Sequence, residues 1–167
     1  MLLNKNEIIK RLNRTPPMVS NIKDRQLQLQ PAGLDLSVKK IYGFESPGCL
    51  DFDNSKRELS SRYEIHIAEH GVYYLRPGCY QVEVNERFNM PLDVVGFTIS
   101  RSTLQRCGAA ILTGFFDPGY IGGGVSLLEV YNSKGLKLCT DARICQMAFE
   151  YTKETEAYNG IYARPKP

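Results

Sequence analysis

The sequence predicts an all-β fold, an antiparallel sandwich or jelly roll with one short helix in front of it. Three observations carry this expectation. Apolar residues alternate with period two along most of the chain, the alternating runs are short, and glycine and proline punctuate them at Gly71, Pro77, Gly78, Pro91 and Gly108. Alternating βαβ units would need helical runs between the strands, and the pattern does not supply them.

Taken in order, Asn4 is placed to cap a helix through Leu12, with Glu7 at the third helical position and Ile8, Ile9 and Leu12 on its apolar side. Thr15, Pro16 and Pro17 end it. A helix this short gains its stability from packing, so it is expected to act as a lid on a sheet. Residues 26–30, 63–67, 80–84 and 94–99 then read as strands, several with one wet face, followed by 124–131, 136–138 and 143–151. Residues 43–61 are polar and weakly periodic, a loop whose Asp51, Asp53, Lys56 and Arg57 read as a solvated face. The stretch GFFDPGYIGGG, residues 114–124, looks like a hairpin tip, because glycine supplies backbone angles that other residues resist.

A chain of 167 residues fits one domain, here 1–167, with 157–167 as a tail free to move. Its net charge of +3 gives no reason to invoke a nucleic-acid polymer, although a local group of Arg and Lys suffices for one polyphosphate. Five cysteines form an odd set without a CxxC pair, and His66 and His70 are the only histidines, so zinc is not expected. Reduced thiols, no signal-peptide core and no apolar run near the ~20 residues of a membrane span point to a cytoplasmic protein with no membrane partner. GxGxxG and GxxxxGK[ST] phosphate loops are missing, so any phosphate is bound another way.

Five short pieces are more specific together than apart: QPAGLDL at 30–36, RSTLQR at 101–106, DPGYIG at 117–122, LEVYN at 128–132 and ARICQ at 142–146. In this order they resemble the superfamily of trimeric deoxyuridine triphosphatases and deoxycytidine triphosphate deaminases, from about residue 24 to about 162. PAGLDL, the short interval from Gly108 to Asp117, and DPGYIGGG are most similar to archaeal-type deoxyuridine triphosphatases. The resemblance implies a distorted β-barrel or jelly roll that forms a homotrimer, with sites where the Ser102 region of one chain meets the hairpin of another.

It also implies roles. Asp117 is the general base that activates water for attack on the α-phosphate of dUTP, giving dUMP and diphosphate, and Tyr120 stacks under deoxyribose and excludes a 2'-hydroxyl. Arg101, Ser102, Thr103 and Arg106 face phosphate, where a guanidinium fork and a hydroxyl suit its oxygens, although Arg101 or Arg106 tied to a core carboxylate fits the residues too. Gln146 is similar to a glutamine that contacts phosphate or metal-bound water. Asp35 supports, through water, a Mg²⁺ held mainly by the triphosphate, or else accepts backbone hydrogen bonds beside Gly33. Tyr158 and Tyr162 belong to a tail that folds over nucleotide, and the tail departs from the family pattern at residues 163–167.

Glu129 keeps a second reading open. In the deaminases a glutamate in a similar LE-x-YN segment shuttles protons at C4 of cytosine. A carboxylate inside Leu127-Leu128-Glu129-Val130 costs desolvation energy and should face a cavity, an interface or a partner. The step from Asp117 to Glu129 is longer than the deaminase pattern, stretched by Gly123 and Gly124. The alternatives are therefore a dUTP diphosphatase, a dCTP deaminase, one enzyme doing both steps, or a non-catalytic nucleotide-binding protein.

Overall fold

A computed structural model describes residues 1–112 and 114–162. Among the described residues there are three α-helices, α1 (Lys5–Leu12), α2 (Arg25–Gln28) and α3 (Ser102–Arg106), and one 3-10 turn at Glu69–Gly71. The strands are β1 (Val19–Ser20), β2 (Leu29–Gln30), β3 (Gly33–Phe44), β4 (Arg62–Glu64), β5 (Val72–Leu75), β6 (Gly78–Asn89), β7 (Val94–Ser100), β8 (Ala109–Leu112), β9 (Phe115–Phe116), β10 (Ile121–Val130), β11 (Leu136–Cys139) and β12 (Arg143–Tyr151).

One ten-stranded sheet runs β8-β10-β6-β3-β12-β7-β9, with β1, β2 and β4 paired alongside, and β5 and β11 form a separate ribbon. The paired strands are antiparallel throughout this path. The long sheet curls until its two ends meet. Ser100 on β7 donates its hydroxyl to the Ile111 carbonyl of β8 at 3.1 Å and accepts the Ile111 N–H at 2.7 Å. The result is a curled half-barrel.

Alternation decides which face fills it. On β6, Val82, Val84, Glu86 and Phe88 point inward and are buried, while Gln81, Glu83, Asn85 and Arg87 face out. Leu34, Leu36, Ile41, Leu128, Ile144, Met147 and Phe149 close around them, each 1% exposed or less. Full burial of such a side chain contributes about 1.5–3 kcal/mol. The helix α1 covers this core as expected: Asn4 Oδ1 accepts from Asn6 N and Glu7 N, Glu7 Oε2 accepts from Asn4 N, and Ile8 and Leu12 are buried.

Four expectations need correction. Residues 26–30 are not a strand: Asp24 Oδ1 accepts from Gln26 N and Leu27 N and starts α2, which leaves only Leu29 and Gln30 to pair with β3. The buried Gln28 side chain holds this turn inward by donating to Asp35 O at 2.8 Å and Glu86 Oε1 at 2.6 Å. The strand expected over 63–67 stops at Glu64, so His66 lies beyond it and is exposed. Residues 33–44 were not expected as a strand, 33–36 being quoted only as the end of QPAGLDL, yet they form one of the two longest strands. Finally, GFFDPGYIGGG is not a hairpin tip, because β9 pairs with β7 whereas β10 pairs with β6 and β8. The Asp-Pro-Gly-Tyr turn carries the chain from one end of the curled sheet to the other.

Candidate active site

The expected site residues fall into three groups. The first lies where β7 runs into α3. Arg101 N donates to Ile144 O at 3.1 Å, so the start of α3 is pinned to β12. The Arg101 guanidinium turns to Asp35 on β3, Nε to Oδ2 at 3.1 Å, and donates from Nη1 to the Arg143 carbonyl at 3.0 Å. Arg143 reaches the same Asp35 oxygen at 3.2 Å and also donates to Leu27 O. Burial raises the Asp35 carboxyl above its ordinary range, and the two guanidiniums oppose that rise. Two fixed cations around one carboxylate leave a net positive charge, which suits phosphate.

Gln146 completes this end, since its position pairs with Asp35 on one side and Ile99 on the other. Gly33 makes room for it, because a Cβ there would lie 2.9 Å from Gln146 Cγ and 2.5 Å from Met147 O. Ser102, Thr103 and Arg106 are exposed on α3. Arg143 was quoted within ARICQ without a role, and its position three residues before Gln146 was the available signal.

The second group is built on the Asp-Pro-Gly-Tyr turn. Tyr120 N donates to Asp117 O at 3.2 Å, and Gly119 sits at φ +75°, where a side chain is strained. The turn is held by Gly119 N to Met90 O at 3.0 Å and Met90 N to Tyr120 O at 2.9 Å. Tyr120 packs edge-on against Phe116 and Tyr158, each with centroids 5.6 Å apart, and its hydroxyl donates to Gly123 O at 2.8 Å. Burial raises the Tyr120 phenol.

The C-terminal segment straps over this turn, with Thr152 N on Asp93 O and Tyr158 N on Pro118 O at 3.0 and 2.8 Å. Ala157 lies so close that a Cβ on Gly119 would meet it at 2.5 Å. Tyr162 lines a cleft together with Tyr120. Asp117 is half-buried, and its carboxylate enters no ion pair among the described residues. The altered tail at 163–167 lies outside the described residues.

The third group is Glu129. It faces outward between the buried Leu128 and Val130, opposite Cys79 on β6 and Ala110 on β8. Its carboxylate accepts the Cys79 thiol hydrogen, and that bond, more than burial, pushes the thiol up. Because Ala110 follows α3 across the turn at Gly108, Glu129 belongs to the arginine end.

The first two groups do not meet within one chain. Phe116 pairs with Gly96, which puts Asp117 beside Val95, whereas Arg101 lies past the far end of β7. Six residues of extended chain separate Val95 from Arg101, roughly 20 Å at ~3.3 Å each. Among the described residues no group of three or more His, Cys, Asp or Glu side chains is placed to hold a metal ion. Asp35, buried with Oδ2 shared by two guanidiniums, does not fit as a direct Mg²⁺ ligand, and the expected contact through water is a different arrangement. No helix among the described residues is long and apolar enough to cross a membrane.

The chain is similar to known proteins. It is 42% identical over 163 residues to a probable deoxyuridine 5'-triphosphate nucleotidohydrolase of Methanococcoides burtonii, covering 96% of each chain. A protein of the same description from Methanosarcina mazei is 40% identical over 164 residues, covering 96% of this chain and 95% of the relative. The deoxyuridine 5'-triphosphate nucleotidohydrolase of Methanocaldococcus jannaschii is 37% identical over 137 residues, 81% of this chain and 86% of that one. Among solved structures, the 2'-deoxycytidine 5'-triphosphate deaminase of Agrobacterium tumefaciens superposes with a TM-score of 0.65 at 20% identity, over 89% of this chain. The chain spans about half of that structure, 46% of its length, and the likeness speaks for the fold. A family model described as dCTP deaminase-like matches residues 2–152, and with the relatives above this places the chain in the dCTP deaminase-like family.

Proposed function

We propose that the protein hydrolyses dUTP to dUMP and diphosphate. The observation that carries this reading is the Asp-Pro-Gly-Tyr turn, where a carboxylate that enters no ion pair among the described residues stands on a braced loop beside an aromatic platform. Asp117 orients a water and takes its proton as the oxygen attacks the α-phosphorus. The bond from that phosphorus to the bridging oxygen breaks, and diphosphate leaves with the electron pair. A base braced in this way needs little reorganisation when the reaction occurs.

Phosphate is received by Arg101, Ser102, Thr103 and Arg106, with Arg143 and Gln146 behind them. Since these lie roughly 20 Å from Asp117 on the same chain, each site takes its base from one chain and its phosphate grip from another. A homotrimer with three such boundaries is therefore part of the proposal. Tyr120 supports the sugar, and Tyr158 and Tyr162 close over it. Mg²⁺ enters this scheme only as an ion carried by the triphosphate. The place of action is the cytoplasm, with its free nucleotide pool.

A second reading rests on Glu129. It is a carboxylate that enters no ion pair among the described residues and is bonded only to the Cys79 thiol, and it makes deamination of dCTP, alone or before hydrolysis, the competing activity. The deciding experiment incubates the protein separately with dUTP and dCTP and follows diphosphate, ammonia and both nucleotide products. Diphosphate from dUTP without ammonia from dCTP is the expected result, and ammonia from dCTP would transfer the reading to the deaminase.

A further inference from the structure

On the outer face of β3, β6 and β10 lies a cleft of about 740 Å³, lined by Tyr120, Tyr162, Glu83 and three cations, Lys23, Lys39 and Arg87. Two irregularities of the sheet fall on its wall. Val38 and Lys40 pair with the consecutive residues Val84 and Glu83, so Lys39 is an extra residue in β3. Gly123 pairs with Arg87 and Val125 with Glu83, so Gly124 alone faces three residues of β6. Bulges of this kind redirect side chains, and here they flank the lysine and the arginine that border the cleft.

The glycine run in its floor is equally uneven. A Cβ on Gly122 would lie 2.4 Å from the Tyr120 hydroxyl, and one on Gly124 would lie 2.6 Å from Val84 Cγ2, so packing requires both. Gly123 has no such reason: a Cβ there meets nothing within 4 Å, and its backbone is not left-handed. What its missing side chain does is keep the floor bare.

Charge selects the ligand. Lys23 is paired with Asp141 at 3.0 Å and Glu83 with Arg62 at 2.9 Å, whereas Lys39 and Arg87 take part in no ion pair among the described residues. Two unneutralised cations beside two tyrosines suit a chain of phosphates. We propose that this cleft is a second polyphosphate subsite, provided by the same chain as Asp117, that takes the terminal phosphate of a nucleotide whose other phosphates are held by the arginine end of the neighbouring chain. That the phosphates are the nucleotide's rests on the reading of Tyr120 as the sugar platform.

The test is titration calorimetry of the full chain with inorganic tripolyphosphate, and then with a dUTP analogue whose α,β bridge is an imido group. Saturable tripolyphosphate binding is expected. It should weaken tenfold or more in Lys39→Ala/Arg87→Ala and in Gly123→Leu, which fills the floor without changing charge. Lys5→Ala/Lys153→Ala, which removes two exposed cations elsewhere, should leave it unchanged, and equal melting temperatures show that the variants fold. Displacement of tripolyphosphate by the analogue, with the same losses in the cleft variants, assigns the site to the nucleotide. Tripolyphosphate that binds but is not displaced overturns that assignment. Binding that is absent, or indifferent to the cleft substitutions, overturns the subsite itself. None of these readings needs turnover, so a protein inert towards dUTP would still answer them.

Discussion

The arginine end and the Asp-Pro-Gly-Tyr turn are organised in opposite ways. At the arginine end, charge is paired before any ligand arrives: Asp35, 3% exposed, holds Arg101 and Arg143 in fixed directions. At the turn, backbone hydrogen bonds and aromatic edges hold the loop, and Asp117 enters no ion pair among the described residues. A grip for a constant group such as phosphate gains from a fixed field. A base gains from an unengaged carboxylate whose backbone cannot move. The difference teaches that the two halves of the proposed site are prepared for different steps, and that each can be broken separately.

The largest effect is expected at the turn. Asp117→Asn should bind nucleotide with unchanged affinity and lose about 10²–10⁴ in kcat, the span typical of a lost general base, measured by diphosphate release. At the other end, Asp35→Ala leaves two guanidiniums without their shared partner. A loss of about 3 kcal/mol in urea unfolding is expected, the lower bound for breaking a buried pair, together with a raised KM.

Asp35 also carries a pH signature. Its carboxyl is raised by burial, so the folded protein keeps that proton at a pH where the unfolded chain has released it. Between the ordinary carboxylate range and the raised value, this group makes stability fall as pH rises. Below both values its contribution is flat, and Asp35→Asn should remove the slope when urea midpoints are followed through the acid range.

A smaller effect sharpens the contrast. Gly119→Ala puts a side chain at φ +75° and 2.5 Å from Ala157, which should release the C-terminal strap and cost about 1–3 kcal/mol in stability. Its readout in kinetics is a raised KM with kcat falling less than in Asp117→Asn. The smallest change is expected from Cys79→Ser, which keeps a donor for Glu129, and dUTP hydrolysis should stay within twofold. A large loss there would bring Glu129 into the chemistry.

Much of this contrast was legible in the sequence where the signal is local. The cap at Asn4, the strand at 143–151 and the tight turn at Asp117 each follow from residues a few positions apart. The strand β3 does alternate in sequence, Leu34, Leu36 and Val38 against Asp35 and Ser37, but its polar positions are not wet: Gly33 to Val38 are all buried, with Asp35 paired to two arginines and Ser37 bonded to Glu86, partners that no local pattern announces. Residues 26–30 alternate like a strand, yet Asp24 captures two N–H groups and Gln28 finds buried partners, and these bonds win over the period. Arg143 meets Asp35 from 108 residues away, a distance no spacing rule bridges. The same limit applies to the turn, whose flanking residues resemble a hairpin while β9 and β10 pair with different strands.

The central claim is that one chain supplies the base and another the phosphate grip. It is tested most directly by unfolding and refolding Asp117→Asn and Ser102→Ala variants together and measuring dUTP hydrolysis. Each variant alone should be nearly inactive. In mixed assemblies a site that takes Asp117 from one variant and Ser102 from the other is intact, so about a quarter of the wild-type activity is expected for random mixing in equal amounts. Two inactive variants that stay inactive after mixed refolding, while wild type refolds to full activity, would contradict the shared site.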